Sequence, residues 1–243
     1  MKVVILAAGL SRRLQTITNG LPKPLVVLGD RTILERTITA CARLDLKDIL
    51  VISGHQHLTL EQAAQSISAR LGVHCTVQYN ESFAVKNNCY SLLLALESVN
   101  RDNVLLINGD VVFDQRILGK MLAHHGTALA IDSSVRLDQE SMKVASDGYR
   151  LLGLSKNIDI AVSYAEYIGI AVISSSDVRE LRDSLTEVIN DDPNQYYEAA
   201  FHRLCTNKVI GLVDVAGLAW EEIDTEIDFS RAVARITSGE FKI

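Results

Sequence analysis

The chain has 243 residues, 48% of them hydrophobic and 22% charged, enough apolar material for a sizeable core of its own. Its formal charge of −6 gives no general attraction to nucleic acid or to anionic lipid, so affinity for phosphate must come from a few placed cations. It contains no apolar run of about 18 residues and no signal-peptide pattern, and Cys41, Cys75, Cys89 and Cys205 show no paired spacing, so we expect a cytoplasmic protein with reduced thiols, no zinc site and no disulfides.

Apolar runs of strand length alternate with segments of helical period, the pattern of a mostly parallel sheet covered on both faces. A strand over 3–7 leads into Ala8-Gly9-Leu10-Ser11-Arg12-Arg13-Leu14, and Lys23 follows between Pro22 and Pro24. Gly9 lacks a Cβ and tolerates positive φ, so nearby N–H groups can approach a phosphate or a base edge. Arg13 can grip phosphate oxygens bidentately, and the two prolines fix where the Lys23 ammonium points. The helix expected over 32–44 starts on a capping box of Thr32 and Glu35, with Arg36 off its apolar face. A strand over 48–53, a helix over 58–71 ending near Gly72 and a strand over 73–78 repeat the unit. Irregular chain over 79–88 then feeds a helix over 90–99. Asn87, Asn88 and Ser91 at its amino end could read a pyrimidine or a phosphate, with ordinary helix capping as the alternative. A short buried strand over 103–107 stops at Asn108-Gly109-Asp110, which sets a carboxylate at the carboxyl end of a central strand, where open α/β sheets bind ligands.

A helix over 115–124 and a strand over 127–132 come next. From 142 the pattern changes to short strands over 142–146 and 149–155 joined by Asp147-Gly148, an inserted antiparallel hairpin. A strand over 167–173, a long helix ending near 190, a helix over 194–205 and a strand over 209–215 follow. A turn from Trp220 to Asp224 opens the last helix, over 226–236. With no repeat or linker, residues 1–243 read as a single domain.

Asp110 and Asp224 each follow an apolar stretch, and carboxylates from different strand ends can converge on one Mg²⁺, which takes one or two of them together with substrate phosphate oxygens. Asp228 lies one helical turn beyond Asp224. The plainer alternatives are a turn-forming Asp110 and a helix cap at Asp224 or Thr225. The N-terminal loop is neither a Walker A motif nor a GxGxxG fingerprint, because Ser11 and Leu14 occupy the later glycine positions, which argues against a dehydrogenase.

Taken together, LAAGLSRRL at 6–14, LPKPL at 21–25, NGD at 108–110 and EIDTEID at 222–228 resemble the nucleotidyltransferase superfamily of sugar-nucleotide pyrophosphorylases and small-molecule cytidylyltransferases, over essentially the whole chain. NNCYSLLLA at 87–95, NQYYEAAF at 194–201 and the WEEID turn are most similar to the phosphocholine, 2-aminoethylphosphonate and inositol-1-phosphate cytidylyltransferases. The resemblance implies a Rossmann-like three-layer α/β sandwich with a mostly parallel mixed sheet, of the nucleotide-diphospho-sugar transferase type, with a small inserted β-hairpin. It implies a nucleotide-binding half over about 1–112 and an acceptor-binding half over about 113–243. The implied reaction is attack on the α-phosphorus of CTP, or another NTP, by a phosphate or phosphonate oxygen, with release of pyrophosphate and Mg²⁺ as cofactor.

Residue by residue, the resemblance makes Arg13 and Lys23 the triphosphate and transition-state cations, and Asp110 and Asp224 the metal carboxylates. Lys156 would hold the acceptor phosphate, with Lys143 the second choice. The nucleotide would meet Leu6, Ala7, Ala8, Gly9, Ser11, Asn87, Ser91 and Asn108, although the commoner family loop has glycine where this chain has Ser11. Tyr79, Tyr167, Tyr196 and Tyr197 with Glu166, Glu198 and Glu222 could form an aromatic and acidic pocket for an ammonium group, with at most one of Tyr196 and Tyr197 pointing inward. The expected acceptor is phosphocholine, phosphoethanolamine or 2-aminoethylphosphonate, held by Lys143, Glu166, Tyr197 and Glu222. The alternatives are a sugar-1-phosphate or inositol-1-phosphate transferase and a non-catalytic nucleotide-binding module. Neither nucleic acid nor stable membrane association is expected, and the reading is compatible with a homodimer.

Overall fold

A computed structural model describes residues 1–10, 12–99 and 101–242, so the position of Ser11 lies outside the described residues. The first half runs β1 (Lys2–Ala7), α1 (Gln15–Thr18), β2 (Val27–Leu28), β3 (Arg31–Thr32), α2 (Ile33–Arg43), β4 (Asp48–Ser53), α3 (His57–Leu71), β5 (His74–Tyr79), α4 (Asn88–Glu97) and β6 (Val104–Asn108). The second runs β7 (Val111–Phe113), α5 (Arg116–Leu122), β8 (Ala128–Asp132), β9 (Lys143–Ser146), β10 (Leu151–Ser155), β11 (Ala165–Ile173), α6 (Val178–Asp191), α7 (Glu198–Leu204), β12 (Gly211–Asp214), β13 (Trp220–Glu222) and α8 (Glu226–Thr237).

Nine of these strands form one mixed sheet. β6, β1, β4 and β5 are parallel, β11 runs antiparallel beside β6, and β8 with β12 continues the sheet beyond it. The β9–β10 hairpin pairs with the start of β11. Successive side chains of a strand point to opposite faces. Val4, Leu6, Leu50, Ile52 and Leu106 accordingly pack under α4, α6 and α7, through Leu92, Leu185 and Phe201 among others. Val3, Ile5, Ile49, Val51 and Leu105 pack under α2, α3 and α5, through Ile38, Leu60 and Leu118. At about 1.5–3 kcal/mol for each large apolar side chain removed from water, these two faces supply the main drive for folding. The result is the three-layer α/β sandwich expected, and among the described residues no helix is long and apolar enough to cross a membrane.

The chain leaves β1 toward β4 and β5 on one side and returns to β6 on the other. The loops after β1 and β6 therefore diverge, and a crevice opens at the carboxyl ends of these strands. Gly109 closes its floor. Its N–H donates to the Leu6 carbonyl at 2.8 Å, and a Cβ at this position would meet the same oxygen at 2.5 Å.

Local details depart from the sequence reading. Thr32 accepts a hydrogen bond from the Glu35 N–H at 3.1 Å, but the Glu35 carboxylate pairs with Arg70 instead of closing a capping box. Arg36 is buried, donating to the Leu28 carbonyl at 3.1 Å and pairing with Asp30 at 2.7 Å. Helix α7 begins only at Glu198, whereas the expected helix started at 194. The turn at Trp220 contains strand β13, which pairs antiparallel with β7 so that Trp220 faces Phe113 and Glu222 faces Val111.

Gly109→Ala forces the Leu6 carbonyl and the Gly109 turn apart. We expect a loss of about 1–3 kcal/mol from overpacking, read as a lower urea midpoint at an unchanged slope. An unchanged midpoint would mean that the close approach carries no weight in the fold.

Candidate active site

Three segments meet at the mouth of the crevice. The first is the turn Lys23–Leu25, which Pro22 enters in extended backbone and Pro24 continues, so its direction is fixed before the Lys23 side chain leaves it. The second is the Asn108-Gly109-Asp110 turn. The third is the junction of β13 and α8, tied to the second by the Ile223 N–H donating to the Asp110 carbonyl at 2.9 Å. There the Lys23 ammonium donates to Asp110 Oδ2 at 3.0 Å and to Asp224 Oδ1 at 2.6 Å, and Arg13 Nη2 donates to Asp224 Oδ2 at 2.7 Å. Burial works against the Lys23 charge, but the two carboxylates overcome it and hold the ammonium above its ordinary value. Asp224 is likewise pulled down by Lys23 and Arg13 against the effect of its own burial.

Thr225 explains why Asp224 is available. The Thr225 side chain caps α8 and forms a reciprocal capping box with Asp228, whose Oδ2 accepts the Thr225 N–H at 2.7 Å. Asp228 thus serves the helix end and Arg231, and Asp224 is left to the crevice.

Asp110, Glu222 and Asp224 each place a carboxylate oxygen within 4.8 Å of the others. Glu222, expected among the acceptor contacts, thus stands in the carboxylate group. Its carboxyl is pushed up to about 8 by desolvation in the crevice and by Asp110 and Asp224. Three convergent hard oxygen donors beside an ammonium bridge fit a divalent cation such as Mg²⁺.

A cleft of about 270 Å³ runs inward from this cluster, and Leu6, Ala8, Gly9, Asn87, Ser91 and Asn108 line it. Ala7 points to the opposite face of β1 and belongs to the core. Gly9 does not adopt positive φ, and a Cβ there would meet nothing within 4 Å, so the loop itself does not require glycine. The polar groups of Asn87 and Ser91 are engaged with the scaffold. Asn87 Oδ1 caps α4 by accepting the Asn88 N–H at 2.8 Å, its Nδ2 donates to the Asn194 carbonyl at 2.9 Å, and Ser91 Oγ accepts from Asn80 at 3.0 Å.

Of the adjacent tyrosines, Tyr196 lines the cleft at 43% exposure and Tyr197 is fully buried. Tyr197 therefore cannot touch an acceptor. Its hydroxyl donates to Asn108 Oδ1 at 2.9 Å and lies 2.9 Å from the Tyr167 hydroxyl, which fixes the Asn108 side chain from behind. Gly169, at φ +78, leaves the room, since a Cβ there would meet Asn108 Nδ2 at 2.7 Å.

Lys156 lines both this cleft and a neighbouring crevice of about 820 Å³, and its ammonium pairs with Glu140 at 3.1 Å. Lys143 does not reach the acceptor side as expected. It is 2% exposed, and its ammonium donates to the carbonyls of Lys156 at 2.7 Å, Ser141 at 3.3 Å and Gln139 at 3.4 Å, fastening the 139–141 loop to the end of β10. Glu166 lines the larger crevice only, its carboxyl pushed up to about 7 by burial and by Asp138 and Asp132. Two cleft groups carried no strong sequence signal: Glu140, an isolated loop acid, and Glu198, named only as one of several acidic residues.

Paired cations and carboxylates thus gather beside the carboxyl ends of β1 and β6 in a sandwich of this kind. The chain belongs to the family described as the MobA-like NTP transferase domain, whose model matches residues 3–154. It is 32% identical over 123 residues to the CMP-5'-(3-aminopropyl)phosphonate synthase of Streptomyces rubellomurinus, a match covering 51% of this chain and 19% of that protein. It is 32% identical over 117 residues to the choline-phosphate cytidylyltransferase of Haemophilus influenzae, covering 48% of this chain and 47% of that one. The matches thus span about a fifth and about half of these relatives. The inositol-1-phosphate CTP transferase from T. maritima superposes with a TM-score of 0.81 over 98% of this chain and 96% of that one, at 19% identity, a likeness of fold.

Glu198 yields a pH prediction. It is 5% exposed, and burial, aided by Asp110 and opposed by Lys156, pushes its carboxyl from 4.5 to about 7. A carboxyl raised in the folded state binds its proton more tightly folded than unfolded. Its contribution is thus most favourable below 4.5, and stability falls as pH climbs to about 7, by roughly 3 kcal/mol. Glu198→Gln removes the ionisation, so we expect the variant to gain on wild type between pH 4.5 and 8 in urea unfolding. Parallel stability profiles would refute the buried charge.

Proposed function

We propose that the chain is a Mg²⁺-dependent cytidylyltransferase that moves CMP from CTP onto a small phosphate or phosphonate amino alcohol of the phosphocholine, phosphoethanolamine or 2-aminoethylphosphonate kind, releasing pyrophosphate. The observation that carries this reading is the convergence of Lys23 and Arg13 with Asp110 and Asp224 at the switch point of the sheet. The naming of two relatives for CMP-aminopropylphosphonate and choline-phosphate chemistry supports the choice of nucleotide and acceptor.

In this reading residues 1–112 hold the nucleotide and residues 113–243 the acceptor. The base lies along Ala8, Gly9 and the start of α4, with Asn108 held in place by Tyr197. Asp110 and Asp224, with Glu222 adjacent, would hold a Mg²⁺ ion, which would supply neutralisation of triphosphate charge. Lys23 and Arg13 then exchange carboxylate partners for phosphate oxygens, and Arg13, more exposed, moves most easily. Lys156, where the two cavities join, draws the acceptor's phosphate or phosphonate oxygen toward the α-phosphorus. That oxygen forms the new P–O bond as the bond to the β-phosphate breaks, and pyrophosphate leaves. Little covalent chemistry falls to the protein, so positioning and charge neutralisation carry the rate.

Pyrophosphate release, measured for four NTPs against the three amino acceptors, inositol-1-phosphate and hexose-1-phosphates, tests this. We expect CTP with an amino acceptor to lead, whereas UTP with a hexose phosphate in the lead would make the chain a sugar nucleotidyltransferase. Asp110→Ala and Arg13→Ala should each lower kcat/KM at least about 100-fold with the unfolding midpoint nearly kept. Near-wild-type turnover in Asp110→Ala would remove the metal assignment.

A further inference from the structure

The chain from Arg13 to Lys23 carries both cations of the triphosphate site, and it is held at the cleft by the pairs that these make with Asp110 and Asp224. A polyanion that draws the cations onto itself loosens those pairs. A second hold acts on the same chain at its reversal, where Asn19 and Gly20 follow one another at φ +48 and +82. There the Gly20 carbonyl meets the loop that joins β4 to α3. Gln56 Nε2 donates to it at 2.7 Å, and His55 Nε2 lies 3.1 Å from it and donates when that nitrogen carries a proton. A carbonyl only accepts, so the Gln56 amide nitrogen faces Gly20, and its Oε1 accepts from the Thr59 hydroxyl at 3.2 Å. Gly54 brings this loop in close, since a Cβ there would meet the Ala8 carbonyl at 2.5 Å. Helix α3 gains nothing from the glutamine. Gln56 is its N-cap at φ +50 and ψ +46, a left-handed conformation that costs a residue with a Cβ, and its side chain makes no capping hydrogen bond, where Ser, Thr, Asp or Asn would. The residue is also exposed, so burial does not account for it. The work of its side chain lies at the Gly20 carbonyl.

We infer that Gln56, seconded by His55, is a positioning residue for the nucleotide: it latches the Gly20 carbonyl so that Arg13 and Lys23 stay aimed at the triphosphate as they leave Asp110 and Asp224. The inference rests on the nucleotidyl-transfer reading above. Gln56 is not among the residues that line the cleft, so it acts through the loop and not on the substrate. Without the latch, the stretch from Arg13 to Lys23 samples more conformations, and the apparent affinity for the nucleotide falls with the fraction of chains that keep the cations in place. A bound triphosphate gathers the same cations by itself, so the saturated enzyme is affected least. Loss of the latch is therefore read in KM for the nucleotide, with kcat and the acceptor's KM left alone.

Two variants test it. Gln56→Met keeps the length of the side chain and removes its donor, and Gln56→Gly removes the side chain while relieving the left-handed backbone. With Mg²⁺ and the best-used acceptor, each should raise KM for CTP at least about threefold, with kcat and the acceptor's KM within about twofold of wild type. Calorimetric titration with CTP and Mg²⁺ should show the same weakening in Kd. The urea midpoint of Gln56→Gly should stay level or rise, so that nucleotide binding and stability part company, which a merely structural role does not allow. Adding His55→Ala to Gln56→Met should weaken CTP binding further. An unchanged KM and Kd for CTP in both variants would overturn the latch, as would a lower KM, which would make the contact a restraint that the nucleotide has to break. A fall in kcat that tracks the midpoint in both variants would reduce Gln56 to a structural part. Wild type that binds CTP but releases no pyrophosphate with any acceptor would overturn nucleotidyl transfer and leave Kd to decide the latch, and failure to bind any NTP would overturn both.

Discussion

The Lys23 ammonium, held between Asp110 and Asp224, is the contact on which the site depends. It joins three stretches distant in sequence: the loop after β1, the turn after β6 and the junction of β13 with α8. Its side chain is only 15% exposed, so forming the bridge requires taking three charges largely out of water. Buried ion pairs of this kind seldom add net stability, because desolvation offsets most of the Coulombic gain. A stabilising role is therefore a weak explanation for the cluster. Charge held ready for a polyanion and a metal is a better one, since both would replace the internal partners with stronger ones.

The rest of the fold serves that junction. Parallel strands buried on both faces deliver their carboxyl ends to one edge, and Gly109 lets the turn after β6 lie against the Leu6 carbonyl. The three-residue pairing of β7 with β13 brings Asp224 back to Asp110, and Thr225 with Asp228 satisfies the end of α8 so that Asp224 need not. On the other wall, Tyr197 and Tyr167 hold Asn108 from inside the core, and the buried Lys143 ammonium ties the Glu140 loop to Lys156. These are supports, and their polar groups point to the scaffold.

Much of this was legible in the residues. The central strands are apolar runs, Asp110 stands out as an acid at the end of one, and Asp224 follows the Trp220 turn. What was hidden depended on contacts that no local pattern encodes. Strands β7 and β13 are too short to show a period. Arg36 and Lys143 are buried because backbone carbonyls accept from them, and a carbonyl is the same in every sequence. The choice between Tyr196 and Tyr197 turned on where α7 begins, a boundary set by the tertiary fold. The antiparallel pairing that also sets Glu222 beside Asp110 was likewise not visible.

The central claim is that Asp110 and Asp224, with Glu222 adjacent, form a cation site completed by a nucleotide. Mn²⁺, a paramagnetic stand-in for Mg²⁺, tests it directly when titrated into the protein with CTP present and followed by electron paramagnetic resonance. One tightly bound ion per chain is predicted for wild type, with affinity at least about tenfold weaker in Asp224→Asn. Equal binding by the two proteins, or binding indifferent to CTP, would contradict the account.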